Sequence, residues 1–168
     1  YDLGCFDDSI LFFSDSVNYR KCIDPTYKGH RNRKKPCGYK RVINKLKEDF
    51  PVVVMPSLEA DDAIGIYATK EEGNIIVSPD KDMRQIPGLL FDLKNPVIEI
   101  TKEEGDRWHL IQTMSGDQTD GYAGAPGIGI KRADAILDKH GCCWETVVQT
   151  FEERGMTADD ALLNARLS

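Results

Sequence analysis

The chain lacks the long apolar run that a membrane-spanning protein requires. None of its apolar stretches approaches the roughly 20 residues that a helix needs to cross a bilayer. The sequence begins at Tyr1, with no methionine and no charged-then-apolar leader, so we expect a fragment or trimmed form with no visible signal peptide. Charged residues make up 30% of the chain. These features favour a cytoplasmic protein, of one domain or one domain with a small helical addition, that does not bind membranes.

Cysteine and histidine are scarce and scattered. The five cysteines are an odd number and include no C-x-x-C pair, and the three histidines show no paired metal-binding spacing. This pattern argues against a disulfide framework and against a zinc site, and it favours reduced thiols. The charged residues are therefore the candidates for a functional site.

Positive charge is concentrated in one segment of an otherwise acidic chain. Between residues 20 and 48, eleven Lys and Arg stand against two acids, a local charge of +9, whereas the net charge is −6 and the remainder carries −15. A basic surface of this density suits a polyanion, although a solvated loop followed by a basic helix would have the same composition. Within it, Tyr27, Lys28 and Arg31 combine an aromatic ring that could stack on a base with two phosphate-binding cations.

Short apolar runs alternate with helical patterns, which predicts an α/β fold with a mostly parallel central sheet flanked by helices. We predict strands in residues 9–14, 50–55, 74–78, 89–93 and 96–100, the last two as an edge hairpin. We predict helices at 39–49, from about 58 with Ser57 as its cap, and at about 102–115, 129–140, 143–154 and 157–167. Residues 1–101 are the expected α/β core, with a basic arch at about 20–48, and residues 102–168 are the expected helical region.

Three predicted strands end in carboxylates, and a fourth acidic pair precedes a glycine-rich loop. The acids are Asp15, Glu59, Asp61, Asp62, Asp80, Asp82, Asp117 and Asp120. Because the carboxyl ends of parallel strands meet at one crevice, we expect these side chains to converge. Eight acids in one crevice would repel one another unless divalent cations neutralised them, which predicts a multi-metal site for phosphate chemistry.

Each acidic motif also has a simpler interpretation. Acids in a first helical turn, as in LEADD, are favoured by the helix macrodipole alone. The D-x-D of SPDKD also occurs in turns, and phosphatases, glycosyltransferases and nucleases share it. The acids alone therefore leave the reaction open.

The glycine-rich loop carries a more specific signal. In GDQTDGYAGAPGIGIKRA, four closely spaced glycines follow Asp117 and Asp120, which we expect to end a helix, and the next helix opens with Lys131 and Arg132. Backbone N–H groups of such a loop suit a DNA phosphate, and its carbonyl groups suit a monovalent cation. A plain interhelical loop is the alternative.

These motifs in this order resemble the 5′–3′ exonuclease/flap endonuclease family, and in particular the exonucleases of short-tailed phages. The resembling segments, which cover most of the chain, are FSDSVNYRK, DPTYKGHR, KKPCGY, LEADD, SPDKD, GDQTDGYAGAPGIG and GMTADD. The resemblance implies a structure-selective nuclease that hydrolyses DNA phosphodiesters from a 5′ end with two or more Mg²⁺ ions, for which Mn²⁺ can substitute. It implies a monomer that acts on duplex DNA with a 5′ end or flap, or on an RNA–DNA hybrid, in the host cytoplasm if phage-encoded.

The resemblance also assigns roles to residues. All eight acids match the family's metal ligands. Tyr27, Lys28 and Arg31 match its arch motif, in which a lysine and an arginine bind and polarise the scissile phosphate. Gly127 and Gly129 match a helix–two-turn–helix loop that grips duplex DNA through a monovalent ion, usually K⁺. The other expected DNA contacts are Lys131, Arg132, Arg33, Lys34 and Lys35.

The chain departs from the family at its start. The family begins with a strand that carries a further metal-binding Asp, and we predict no such strand before Ile10, so that Asp2, Asp7 and Asp8 are not expected to supply this ligand. A catalytically impaired fragment that only binds DNA is therefore the main alternative. A phosphatase acting through a phospho-aspartate would leave the basic arch and the glycine loop unexplained, and the related toxin-type ribonucleases lack that loop.

Overall fold

All five apolar runs that predict strands form strands in the computed structural model, which describes residues 6, 8–31, 34–70 and 73–168. The strands are β1 Leu11–Phe12, β2 Val52–Val53, β3 Ile75–Val77, β4 Gly88–Phe91 and β5 Ile98–Ile100. The β1–β2 and β3–β4 pairs are parallel, and β4 and β5 form the predicted antiparallel hairpin. The α/β class with mostly parallel pairing is thus confirmed, although the described strands hydrogen-bond as two separate sheets.

Helices accompany the strands along the described chain. They are α1 Tyr19–Ile23, α2 Tyr39–Asp49, α3 Ala60–Ala68, α4 Lys102–Ser115, α5 Ile130–His140, α6 Trp144–Glu152 and α7 Ala158–Leu167, with a 3₁₀-helix at Lys81–Gln85. The sequence did not predict α1 or the 3₁₀-helix, because five residues are too few for a periodic apolar pattern. Among the described helices none is long and apolar enough to cross a membrane.

The first of two compact units comprises the described residues within Tyr1–Tyr19 and Asn32–Ile100. It contains all five strands, and α3 packs against β1 and β3. Its buried core is small and consists of Ile76, Met83, Leu90 and Ile100, flanked by Ile64, Ala68 and Ile86. This core holds the carboxyl end of β3, after which two of the predicted metal ligands follow.

The second unit comprises Arg20–Arg31 and Thr101–Ser168. Its main core is formed by α4 to α7 and consists of Ile111, Met114, Ala125, Ile128, Ala133, Leu137, Val147, Phe151 and Ala161. Residues 20–31 pack with this helical unit, although the sequence predicts them in the arch of the first region. The physical reason is a second apolar cluster, in which the ring of Tyr27 is buried with Tyr122 and Leu167.

The start of α3 differs from the prediction that Ser57 caps it. The helix begins at Ala60, and Glu59 is its N-cap in a reciprocal capping box with Asp62. Ser57 instead has a positive φ of 61°, and its N–H donates to a carboxylate oxygen of Asp15. The contact with Asp15 holds Ser57 outside the helix, so the prediction was wrong.

The end of α4 also differs from the prediction. The helix stops at Ser115, so Asp117 and Asp120 lie in the turn that follows it and do not end the helix. Two glycines cause the helix to end at Ser115. Gly116 and Gly124 both have a positive φ, and a Cβ on either one would collide with the backbone of the other's segment. The close approach of these two backbones shapes the turn that carries the two acids.

Gly116→Ala should therefore destabilise the protein strongly, because alanine would bring both a strained φ and a backbone collision. We expect the free energy of unfolding to fall by about 2 kcal/mol or more, measured by urea denaturation. Gly129→Ala is the matched control, since Gly129 has a φ of −103° and open space where a Cβ would lie. Equal stability of the two variants would contradict the close approach.

Candidate active site

Asp15 lies directly beyond β1 and is held by backbone donors. One carboxylate oxygen accepts from the N–H of Ser57 at 2.8 Å, and the other accepts from the N–H of Ser16 at 2.6 Å. These hydrogen bonds, that from Ser57 first, hold the pKa of Asp15 below its usual value. The carboxylate is therefore ionised and oriented at neutral pH, as a ligand for a cation has to be.

The acids of the LEADD motif divide between two roles. Glu59 and Asp62 form the capping box of α3, and the carboxylate of Asp62 accepts from the N–H of Glu59 at 3.0 Å. The simpler interpretation of these two acids, helix capping, is therefore realised. Asp61 lies in the first turn of the helix and lines an open cleft.

Of the two acids that follow β3, Asp80 lines the same cleft as Asp61. Asp80 caps the 3₁₀-helix, because its carboxylate accepts from the N–H of Asp82 at 3.1 Å. The ammonium of Lys81 lies 3.3 Å from the carboxylate of Asp82. Asp61, Asp80 and Lys81 line the cleft together with Ser78 and Pro79. The structure thus brings together two acids from different motifs.

In the second unit, Asp120 is the centre of a charged cluster. Its side chain accepts from the guanidinium of Arg31 and from the hydroxyl of Tyr27 at 3.1 Å, and the ammonium of Lys28 lies 3.4 Å away. The Nε of Arg31 also donates to the backbone carbonyl of Thr119 at 3.0 Å. All three predicted arch residues therefore contact one predicted metal ligand, which is only 9% exposed.

Backbone hydrogen bonds hold this cluster in place. The N–H of Lys28 donates to the carbonyl of Asp120 at 2.7 Å, and Lys28 itself has a left-handed φ of 53°. Asp117 closes the turn on the other side, since its carboxylate accepts from the N–H of Thr119 at 2.6 Å. The N–H of Asp117 donates to the carbonyl of Tyr122 at 2.9 Å. Backbone and side-chain contacts therefore fix the same two segments against each other.

The burial of Tyr27 corrects one expectation. The sequence suggested that its ring could stack on a base, but the side chain is 2% exposed. The ring packs beside Tyr122 and Leu167, with the cations of Arg20 and Lys28 at 5.9 Å and 4.9 Å from its centroid. In this conformation the ring presents no face to a base.

The predicted DNA-binding residues outside this cluster lie on the surface. Gly127 and Gly129 precede α5, and Lys131 and Arg132 are exposed in its first turn. Lys34 and Lys35 are exposed too, and the ammonium of Lys35 lies 4.6 Å from the ring centroid of Tyr39. Arg33 falls outside the described residues. These assignments stay predictions.

The convergence of all eight acids is not seen. Among the described residues, which include all eight, no three His, Cys, Asp or Glu side chains lie close enough together to hold a metal ion. The acids occur as pairs instead, Asp61 with Asp80 in the cleft and Asp117 with Asp120 in the turn after α4. Their assignment as metal ligands therefore stays a prediction.

Sequence reasoning missed three supporting residues. Ser14 accepts from the N–H of Ala60, and Thr119 binds Arg31 through its carbonyl. Neither contact has a sequence signal, because each joins residues more than 40 positions apart. Asp24 caps its own turn by accepting from the N–H and the hydroxyl of Thr26, and the D-P-T sequence could have indicated that turn.

The described chain thus has an α/β unit with acids beyond its parallel strands and a helical unit with a glycine turn. Residues 6–105 match the model of a family described as "5'-3' exonuclease, N-terminal resolvase-like domain". The chain belongs to this family, which confirms the resemblance stated from the sequence.

Curated relatives support the same placement. The chain is 42% identical over 131 residues to an exodeoxyribonuclease of Enterobacteria phage T3, covering 71% of this chain and 43% of the relative. It is 40% identical over 138 residues to an exonuclease of Escherichia phage T7, covering 76% of this chain and 46% of the relative. The chain thus spans less than half the length of these two relatives.

Solved structures share the fold at low sequence identity. A variant of the phage T5 5′-exonuclease superposes with a TM-score of 0.75 at 16% identity, over 96% of this chain and 73% of that one. The phage T5 flap endonuclease, solved as a pseudo-enzyme-product complex with DNA and metal ions, gives a TM-score of 0.73 at 15% identity over the same shares. These likenesses confirm the fold.

The contact between Arg31 and Asp120 should be measurable by a double-mutant cycle. Because Asp120 is largely buried, we expect a coupling free energy of about 1–3 kcal/mol between Arg31→Ala and Asp120→Ala in urea unfolding. The exposed pair Lys102 and Asp106, one turn apart on α4, is the control and should couple by about 0.3–0.5 kcal/mol. A coupling for the first pair no larger than the control would contradict the buried contact.

Proposed function

We propose that this chain is a structure-selective 5′–3′ exodeoxyribonuclease/flap endonuclease that hydrolyses DNA phosphodiesters with divalent metal ions, Mg²⁺ foremost. The observation that carries the proposal is the Asp120 cluster. In a chain of this exonuclease family, two phosphate-binding cations lie against a carboxylate that the motifs assign to the metal site. A site that handles a scissile phosphate needs both kinds of group in one place.

The residues present suit Mg²⁺, for which Mn²⁺ is a natural substitute. All eight assigned ligands offer carboxylate oxygen, the donor that hard divalent cations prefer. Asp61 and Asp80 line one cleft, and two backbone N–H donors orient the carboxylate of Asp15 and lower its pKa. When bound, the ions would activate the attacking water and neutralise charge on the phosphate. The ions would be held by Asp15, Glu59, Asp61, Asp62, Asp80, Asp82, Asp117 and Asp120.

Lys28 and Arg31 would bind the scissile phosphate. Their side chains are 15% and 36% exposed, and both are held by Asp120. A phosphate offers the same hard oxygen acceptors as a carboxylate, so the cations could exchange one partner for the other. Their charges would then stabilise the negative charge that develops on the phosphate oxygens as the P–O bond breaks.

The DNA would be a duplex with a 5′ end or flap. The basic segment at 20–48 supplies a polyanion surface, with Arg33, Lys34 and Lys35 as further contacts. Gly127 and Gly129 at the start of α5 would hold a backbone phosphate, directly or through K⁺, beside Lys131 and Arg132. We extend the proposal to RNA–DNA hybrids and to a monomer acting in the cytoplasm of a phage-infected host.

A DNA-binding module without catalysis is the second candidate. It is favoured by the finding that no three acids in the described chain lie close enough to hold an ion. Retention of duplex DNA in Mg²⁺ with no released product would support this candidate.

Asp82→Ala should abolish cleavage and leave duplex binding within about twofold, because it removes an oxygen ligand and no DNA contact. We expect a loss of at least about 100-fold in cleavage rate, measured with 5′-labelled duplex. Asp92→Asn is the matched control. Asp92 also follows a strand, but its carboxylate accepts from Asn95 and Lys94, which lowers its pKa to about 2. Turnover by Asp82→Ala at the wild-type rate would refute the metal assignment.

Lys28→Ala should slow the chemical step far more than it weakens DNA binding, because the ammonium acts on the phosphate as it reacts. We expect a fall of about 100- to 1000-fold in the single-turnover rate, with the dissociation constant changed by less than about threefold. Lys131→Ala is the comparison, and it should weaken binding and reduce the salt dependence without affecting the single-turnover rate at saturation. Equal losses in rate and binding for Lys28→Ala would make Lys28 a docking residue.

A further inference from the structure

Tyr27 is the most deeply buried member of the predicted arch motif. Its side chain is 2% exposed and packs with Tyr122 and Leu167, which belong to the turn after α4 and to α7. The N–H of Tyr27 donates to the carbonyl of Asp24 at 3.1 Å, so the turn before it is closed. Side chain and backbone are both held, which leaves the residue little freedom to swing out toward a ligand.

The hydroxyl of Tyr27 points at the same carboxylate oxygen that receives Lys28. It donates to Oδ2 of Asp120 at 3.1 Å, and the ammonium of Lys28 lies 3.4 Å from that atom. Arg31 binds the other oxygen, Oδ1. A neutral donor on Oδ2 restricts rotation of the carboxylate without cancelling its charge, so the carboxylate stays able to hold both cations.

The ring of Tyr27 also contacts Lys28 directly. The ammonium lies 4.9 Å from the ring centroid, within the range of a cation–π interaction. Lys28 is therefore held from two sides, by the ring and by the carboxylate that the hydroxyl orients. Its left-handed φ of 53° adds a backbone conformation that surrounding contacts must maintain.

We propose that Tyr27 is a positioning residue, which orients the carboxylate of Asp120 through its hydroxyl and thereby sets the positions of Lys28 and Arg31. The inference rests on the proposed nuclease function and replaces the expectation that the ring stacks on a base. Tyr27 does not touch the DNA in this role. Its effect reaches the phosphate only through the two cations.

Tyr27→Phe tests the role because it keeps the ring and removes only the hydroxyl. We expect the single-turnover cleavage rate at saturating DNA to fall about tenfold, the factor that corresponds to the roughly 1.4 kcal/mol of one hydrogen bond to a charged group. The dissociation constant for DNA should stay within about twofold. Tyr67→Phe, a partly exposed tyrosine on α3 outside the basic segment, is the control, and its rate should equal that of the wild type.

If Tyr27 stacked on a base instead, the cleavage rate of Tyr27→Phe would equal that of the wild type. Phenylalanine stacks as well as tyrosine, so a stacking residue would tolerate Tyr27→Phe. A duplex with an abasic 5′-terminal nucleotide separates the two roles further. We expect the variant-to-wild-type rate ratio to be the same on abasic and intact DNA. A silent Tyr27→Phe, or an effect that disappears on the abasic substrate, would overturn the proposal.

Two measurements on the protein without DNA or metal keep the test independent of nuclease activity. The first is a double-mutant cycle of Tyr27→Phe with Asp120→Asn in urea unfolding. We expect the two changes to be non-additive, with a coupling of about three- to tenfold in the unfolding equilibrium constant. Additive effects would show that the hydroxyl and the carboxylate do not interact.

The second measurement is the rate at which an amine-reactive succinimidyl ester labels Lys28, followed by peptide mass spectrometry with the exposed Lys139 as internal reference. Tyr27→Phe should raise the relative labelling rate of Lys28 several-fold, because the ammonium is less firmly held. An unchanged rate would overturn the positioning role. A wild-type chain that fails to cleave DNA while these two measurements behave as expected would refute the proposed function and leave the positioning intact.

Discussion

The second unit depends on the carboxylate of Asp120. A largely buried carboxylate is costly unless donors surround it, and here Tyr27, Lys28 and Arg31 supply a hydroxyl, an ammonium and a guanidinium. These donors come from a segment about 90 residues earlier in the chain. The cluster therefore holds residues 20–31 to the helical unit, although a short polar segment that contains Pro25 and Gly29 has little tendency to order by itself.

The same contact explains why the turn after α4 has its particular shape. Asp120 can reach the earlier segment only because the backbone reverses directly after Ser115, with Gly116 packed against Gly124. The N–H of Lys28 then donates to the carbonyl of Asp120, so backbone as well as side-chain contacts join the turn to the earlier segment. Gly124 belongs to the loop that the sequence predicts to contact phosphate, and in the structure its close approach to Gly116 shapes the turn that carries Asp120.

Local patterns predicted much of the fold. The five strands, the basic helix α2 and the last helix, predicted at 157–167, were each visible within about a dozen residues, since apolar periodicity depends on near neighbours. The start of α3 was not visible in this way, because the N–H of Ser57 donates to Asp15, which lies 42 positions away. The burial of Tyr27 was missed for the same reason, as its partner Asp120 is 93 positions distant. The errors fall where a long-range contact overrides a local preference.

Helix capping, the simpler interpretation of the acidic motifs, is seen for three of the acids, and their assignment as metal ligands stays a prediction. Capping explains why Glu59, Asp62 and Asp80 are tolerated at the starts of helices, and the same caps hold these carboxylates beside the carboxyl ends of the strands. Capping is therefore no argument against metal binding. Within the first unit Asp61 and Asp80 share one cleft, and within the second Asp117 and Asp120 share one turn.

The most direct test of nuclease function compares duplexes labelled at the 5′ or the 3′ end, incubated with the chain in Mg²⁺ or in chelator. We expect short products that carry the 5′ label to appear first and chelator to prevent their formation. A closed circular duplex, which has no 5′ end, should resist cleavage. Binding of the labelled duplex without any metal-dependent product, or cleavage of circular and linear DNA at equal rates, would contradict the proposed function.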